Sequence, residues 1–152
     1  MSTLVSDQRR VSVGIGQIAV SNDPNEVLVA YGLGSCVGVS FYDPATRSGG
    51  LVHVLLPDSE GRVSDGKEPA RYADWGVAAL LGELTRRGAS KASLVIKVAG
   101  GAAVLGPANA EKFKIGARNA EAIKEQLKRL GLRVGAEDLG GTKGRTMELH
   151  MA

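Results

Sequence analysis

The sequence has little of several things that would point to a partner or a compartment. Its 152 residues hold one cysteine, Cys36, so no internal disulfide can form and a cytoplasmic location is expected. Aromatic residues make up only 4%, too few for a base-stacking platform, and no nucleic-acid partner is expected. No apolar run approaches the roughly 18 residues that span a bilayer, which excludes membrane insertion by a helix. The stretch Met1 to Arg10 is polar, lacks the apolar centre of a secretory signal and reads as a flexible start. One cysteine and two distant histidines, His53 and His150, offer no ligand spacing, so neither a metal nor a cofactor is expected. Neither sign of charge dominates: 19 basic and 16 acidic residues are interspersed for a net charge of +3. That mildly basic balance suits an acidic protein partner without specifying one.

What is present reads as one globular domain spanning residues 1–152, 43% hydrophobic and long enough to bury a core. Val11, Val13 and Ile15 alternate as a first strand that runs on, with a change of phase, through Ile18 and Val20. Ser21 to Asn25 is a turn, and Val27 to Ala30 a second strand. Further along, Pro69 opens a helix whose stripe is Ala73, Val77, Leu80, Leu81 and Leu84, with Gly88 as its cap. Leu94 to Val98 is a strand. Gly100-Gly101-Ala102-Ala103 lacks the lysine and hydroxyl of a phosphate loop and reads as close backbone packing. Gly116 to Asn119 begins a second helix with Ile123, Leu127 and Leu130 inward and Gly131 as its end. A strand over Leu132 to Ala136, a glycine-rich loop over Asp138 to Arg145 and a terminal strand over Thr146 to Met151 complete the chain. Strands first, then helices alternating with strands, predict an α+β domain: packed mixed β-sheets with two amphipathic helices outside.

The chemistry-bearing residues gather between Tyr31 and Ser59. Gly32-Leu33-Gly34-Ser35 is a tight-turn sequence ahead of Cys36, and an apolar run follows from Val37 to Tyr42. After the turn signal Asp43-Pro44-Ala45-Thr46, a second run from Leu51 to Leu56 completes an antiparallel hairpin. A turn centred on Pro44-Ala45 sets Cys36 directly across from His53, close enough for a thiol–imidazole pair. Val37, Val39 and Phe41 share a core face, whereas Cys36, Gly38 and Ser40 share a face of small groups with room for a substrate. Backbone N–H groups around Gly34 and Ser35 are candidate donors to an oxyanion. Asp58 to Lys67 is a polar loop bordering this stretch. Asp58 and Ser59 either position His53 or substrate, or cap structure.

These blocks resemble the chemoreceptor glutamine deamidase family, CheD. The resemblance rests on GLGSCV, the DP turn, GG-x-V-H-V-x-LPDS, RYAD, KVAGGA, IGARN and D-x-GG-x-x-GR, in that order from Val11 to Glu148. It implies a sandwich fold shared with other cysteine hydrolases. It also implies hydrolysis of receptor glutamine side chains to glutamate, with Cys36 as nucleophile and His53 as general acid and base. An imidazolium beside the thiol would lower its pKa. The implied partners are the cytoplasmic helices of a chemoreceptor (a methyl-accepting chemotaxis protein) and, for some members, a CheC-type phosphatase. One position departs from the pattern: a threonine expected before the glycine turn is Ala30 here. Tyr31, Ser35 and Ser40 are the nearby hydroxyls that could replace it, and a backbone carbonyl is the other candidate. A weakened catalyst serving as a binding regulator of the phosphatase is the alternative reading.

Overall fold

A computed structural model of the chain describes residues 8–103 and 110–152. The elements run β1 (Arg9–Ser12), β2 (Ile18–Ser21), β3 (Glu26–Leu33), β4 (Val37–Asp43), β5 (Ser48–Val54), α1 (Ala73–Arg86), β6 (Val95–Gly100), α2 (Ala110–Arg129), β7 (Ala136–Leu139) and β8 (Arg145–His150). Two sheets form, one ordered β1-β3-β8 and the other β2-β5-β4-β6-β7. The fold is α+β, as expected. One cluster, holding Val37, Val39, Phe41, Leu80 and Ile123, lies between the five-stranded sheet and the helices. The other, holding Leu28, Ala30, Leu33, Cys36 and Leu51, lies between the two sheets. The five-stranded sheet is therefore covered on both faces, which is why β4 and β5 read as unbroken apolar runs.

Successive β4 side chains divide between these layers. Val37, Val39 and Phe41 face the helices, and Cys36, ahead of the strand, faces the other sheet. Helix α1 lies so close to β5 that a Cβ on Gly50 would come within 2.5 Å of Leu80 Cδ1. Gly50 is thus a seat for the helix, whereas a Cβ on Gly49 would meet Phe41 O and Leu149 on the other side.

Several boundaries differ from the sequence expectation. The flexible start does not reach Arg9 and Arg10, which lie in β1 and pair with Glu26 and Val27; residues 1–7 lie outside the described residues. The single first strand is in fact two strands in different sheets, parted by Val13 to Gln17, where Gly16 has a φ of 80°. Helix α1 starts at Ala73, not Pro69, because Ala70 N–H is bonded to Gly16 and Tyr72 bridges to Leu56. Helix α2 begins at Ala110, before Gly116. Leu132 does not start a strand. Its N–H closes the end of α2 on Leu127 at 2.8 Å, past Gly131 with a φ of 73°, and strand β7 begins only at Ala136.

Candidate active site

The β4–β5 register decides how Cys36 and His53 meet. Gly38, not Cys36, is opposite His53, and the last ladder pair is Val37 with Val54. The connecting loop is longer than a turn centred on Pro44-Ala45, since Asp43 pairs with Ser48. Asp43 shapes it by accepting from Ala45 N–H and Thr46 Oγ1, both at 3.0 Å, and Arg47 takes a left-handed φ of 55°. The pairing is displaced by two residues, an even number, so both side chains stay on one face as diagonal neighbours. Such positions lie roughly 7–8 Å apart, within reach of longer side chains.

That face is not the open surface its small residues suggest. A Cβ on Gly38 would come within 2.8 Å of Met147 Sδ, so Gly38 is small because β8 packs on it. Cys36 is only 7% exposed and His53 3%.

The segment that crosses between the sheets holds His53 on several sides. Gly16 N–H donates to His53 O at 2.7 Å, and His53 N–H donates to Gln17 O at 3.1 Å. The ring bonds Val13 O through Nδ1 at 2.9 Å. A carbonyl can only accept, so Nδ1 carries the proton and Nε2 is left with a lone pair. That Nε2 is buried and has no hydrogen-bond partner. Val13 is itself fixed, its N–H on Val29 O at 2.7 Å, one residue from Ala30. Ala30 is fully buried opposite Met147 with only a methyl to offer. The orienting bond to the imidazole therefore comes from main chain.

Burial sets the charge states. It pushes the Cys36 thiol above its ordinary value. It also lowers the His53 imidazole, against a smaller upward pull from the Val13 carbonyl. Both groups are neutral at rest. An imidazolium that lowers the thiol pKa is not the resting arrangement here: burial is the cause acting on Cys36, and it raises the thiol.

The turn before Cys36 is fastened through its carbonyls. Gly34 O accepts from Ala102 N–H at 2.8 Å, Ser35 O from Asn119 Nδ2 at 2.9 Å and Cys36 O from Gly101 N–H at 2.9 Å. A Cβ on Gly100 would lie 2.2 Å from Cys36 O, so the close backbone packing read from the glycine pair is directed at the thiol's own turn. The N–H groups of Ser35 and Cys36 donate no hydrogen bond among the described residues.

The remaining expected residues disperse. Tyr31 is 49% exposed, and its hydroxyl accepts from Arg10 Nε at 3.0 Å, away from the imidazole. Ser40 shares the Cys36 face, but neither imidazole nitrogen bonds to it. Asp58 is exposed and closes a local turn on Glu60 N–H at 2.8 Å. Ser59 is buried, with its N–H on Asp74 Oδ1 at 3.0 Å, which ties the loop to α1. Asp58 and Ser59 thus bond within the loop and to α1, and neither bonds to His53. Sequence reading missed Val13, Gly16, Gln17 and Asn119. The first three act through main chain, which no side-chain pattern reveals; Asn119 sits inside the IGARN block.

A cleft of about 590 Å³ opens elsewhere, between β6–β7 and β8, lined among others by Ser40, Lys97, Glu148 and His150. Neither Cys36 nor His53 lines it. The buried thiol and the unpartnered imidazole nitrogen argue for the other place, because a thiol and a base on one face are what nucleophilic catalysis needs.

The profile described as CheD chemotactic sensory transduction matches residues 55–152, just beyond His53. Curated relatives extend the match across Cys36 and His53. A "Probable chemoreceptor glutamine deamidase CheD" of Symbiobacterium thermophilum is 49% identical over 97% of this chain and 90% of its own. Its counterpart in Pyrococcus horikoshii is 44% identical over 95% and 88%. The "Chemoreceptor glutamine deamidase CheD" of Thermotoga maritima is 42% identical over 91% and 84%. Among solved structures, Bacillus licheniformis hypothetical protein YfiH is similar at a TM-score of 0.48 and 18% identity, over 80% of this chain and 49% of that one. With more than half of the chain matched by the profile and nearly all of it by such relatives, the chain belongs to the CheD family.

Proposed function

We propose that this chain is a chemoreceptor glutamine deamidase, an amidohydrolase that acts through Cys36 and His53. The observation that carries the reading is the buried, unpartnered Nε2 of His53, with Nδ1 committed to Val13 O, on a residue diagonal to Cys36 on the same face. An imidazole fixed in that tautomer presents a base to a thiol. His53 Nε2 takes the Cys36 proton as Sγ bonds to the side-chain carbonyl carbon of glutamine. The resulting oxyanion meets the N–H groups of Ser35 and Cys36. Collapse breaks the C–N bond, and the proton held on Nε2 leaves with ammonia. Water, deprotonated by the same nitrogen, then attacks the thioester, giving glutamate and the free thiol. Because both groups rest neutral, proton transfer accompanies attack instead of preceding it.

The substrate in this reading is a glutamine on the cytoplasmic helices of a chemoreceptor, met in the cytoplasm, and a CheC-type phosphatase is a second partner. No helix among the described residues is long and apolar enough to cross a membrane. The test is incubation with a receptor cytoplasmic fragment, reading ammonia release and a mass gain of about one dalton on glutamine-containing peptides. Release with that gain is expected. Silence across several receptors, with binding of the phosphatase intact, would move the reading to a non-catalytic regulator.

A further inference from the structure

The β4–β5 ladder stops one residue short of the thiol. Beyond Val37 and Val54, Leu55 N–H turns away to Arg71 O at 3.2 Å, and Cys36 O accepts from Gly101 N–H. One side chain rejoins the parted segments. Asn119 of α2, fully buried, donates through Nδ2 to Ser35 O and to Leu55 O, each at 2.9 Å. A carboxamide supplies two protons from one nitrogen, and here both are used. Neither a serine nor an aspartate carboxylate can do that.

The grip falls at an informative place. Ser35 O and Cys36 N–H are opposite ends of one planar peptide unit, so fixing the carbonyl fixes the direction of the N–H. Leu55 is two residues beyond His53 on the same segment. A second observation sets this residue apart from ordinary packing. Among the described residues, two buried side-chain nitrogen or oxygen atoms have no partner: His53 Nε2 and Asn119 Oδ1. An apolar side chain would avoid that orphaned oxygen, so the site carries a destabilising group together with the two donors.

We propose that Asn119 is a positioning residue for the reaction at Cys36. It aims the Ser35–Cys36 peptide N–H at the developing oxyanion and sets the separation between the thiol's turn and the strand of His53. The proposal rests on the reading of Cys36 as nucleophile.

The experiment compares the full chain with Asn119→Ser, Asn119→Asp, Cys36→Ala and Ile123→Ala. Ile123 is a buried core residue one turn along the same helix and serves as the packing control. Deamidation kinetics on a receptor fragment are read below every variant's Tm, with the rate of Cys36 alkylation by iodoacetamide across pH as a second readout. In both Asn119 variants kcat is expected to fall on the order of 10–100-fold with KM within about twofold, while Ile123→Ala keeps its kcat. The alkylation profile is expected to shift in the Asn119 variants and not in Ile123→Ala. Unchanged kcat with a superimposable alkylation profile would overturn the proposal, as would equal kcat losses in the packing control. Failure of the nucleophile reading shows separately, as activity that survives in Cys36→Ala. Were wild type silent on the receptor, the alkylation profile alone would decide: a shift confined to the Asn119 variants upholds the positioning role, and superimposed curves end it.

Discussion

The two flanks of the space between the sheets differ in kind. On the β7–β8 flank lies a cleft of about 590 Å³, lined by charged side chains such as Lys97 and Glu148. On the β1–β2 flank, Cys36 and His53 are closed in, uncharged, and surrounded by backbone whose polar groups are nearly all engaged. This cleft and the reactive groups are therefore separated. A buried imidazole nitrogen without a partner is costly, and here it lies on the β1–β2 flank. Tight packing and main-chain bonds, not an open cavity lined by side chains, bring Cys36 and His53 to one face.

The largest test of that contrast is activity. Cys36→Ala should abolish deamidation, and His53→Ala should lower kcat by roughly 10²–10⁴-fold, whereas Lys97→Ala in the cleft should leave kcat unchanged. A steady-state assay on one receptor fragment checks all three, and a loss in Lys97→Ala would transfer the chemistry to the open flank. Packing gives the next effect. Gly38→Val brings a branched side chain against Met147 and should cost about 1–3 kcal/mol in urea unfolding, while Lys97→Ala stays within about 0.5 kcal/mol.

A pH series sharpens the electrostatic side. His53 has a folded pKa below its ordinary 6.5, so the unfolded chain binds the extra proton first and stability falls as pH drops through that range. Cys36 has a folded pKa above its ordinary 9.0, so stability falls again as pH rises past that value. Tm should therefore be highest between the two, and Cys36→Ala should remove this thiol's share of the alkaline decline. A Tm profile identical for wild type and Cys36→Ala above pH 9 would contradict the buried neutral thiol. The smallest expected effect on turnover is that of Ala30→Thr. Because Val13 O already fixes the imidazole, restoring the hydroxyl should change kcat by less than about threefold, although overpacking a fully buried site should lower stability by about 1–3 kcal/mol. A tenfold gain would return the orienting role to a threonine.

Much of this was legible in the sequence because period and side-chain chemistry expose it. The alternation of Val37, Val39 and Phe41 against Cys36, Gly38 and Ser40 correctly divided two layers, and a register displaced by two residues preserved that parity. The stripe of Ala73, Val77, Leu80 and Leu84 marked α1. What stayed hidden is carried by main chain or depends on what packs opposite. Val13 contributes only a carbonyl. The small face at Gly38 looked like space and is filled by Met147, contributed from the far end of the chain. The four residues between Asp43 and Ser48 lengthened a turn that Asp-Pro alone marks as shorter. Strand β7 moved because Leu132 was claimed by the end of α2 and the core.

If the β1–β2 flank carries the covalent step, the thioester at Cys36 can be trapped. The full chain would be mixed with a receptor fragment, quenched in acid within the first turnovers, digested and weighed. The account predicts a peptide containing Cys36 joined to a receptor glutamine peptide through a thioester, lighter than the two together by one ammonia. That adduct should be released by hydroxylamine and missing in Cys36→Ala. Steady ammonia release with no adduct at Cys36, persisting in Cys36→Ala, would contradict it.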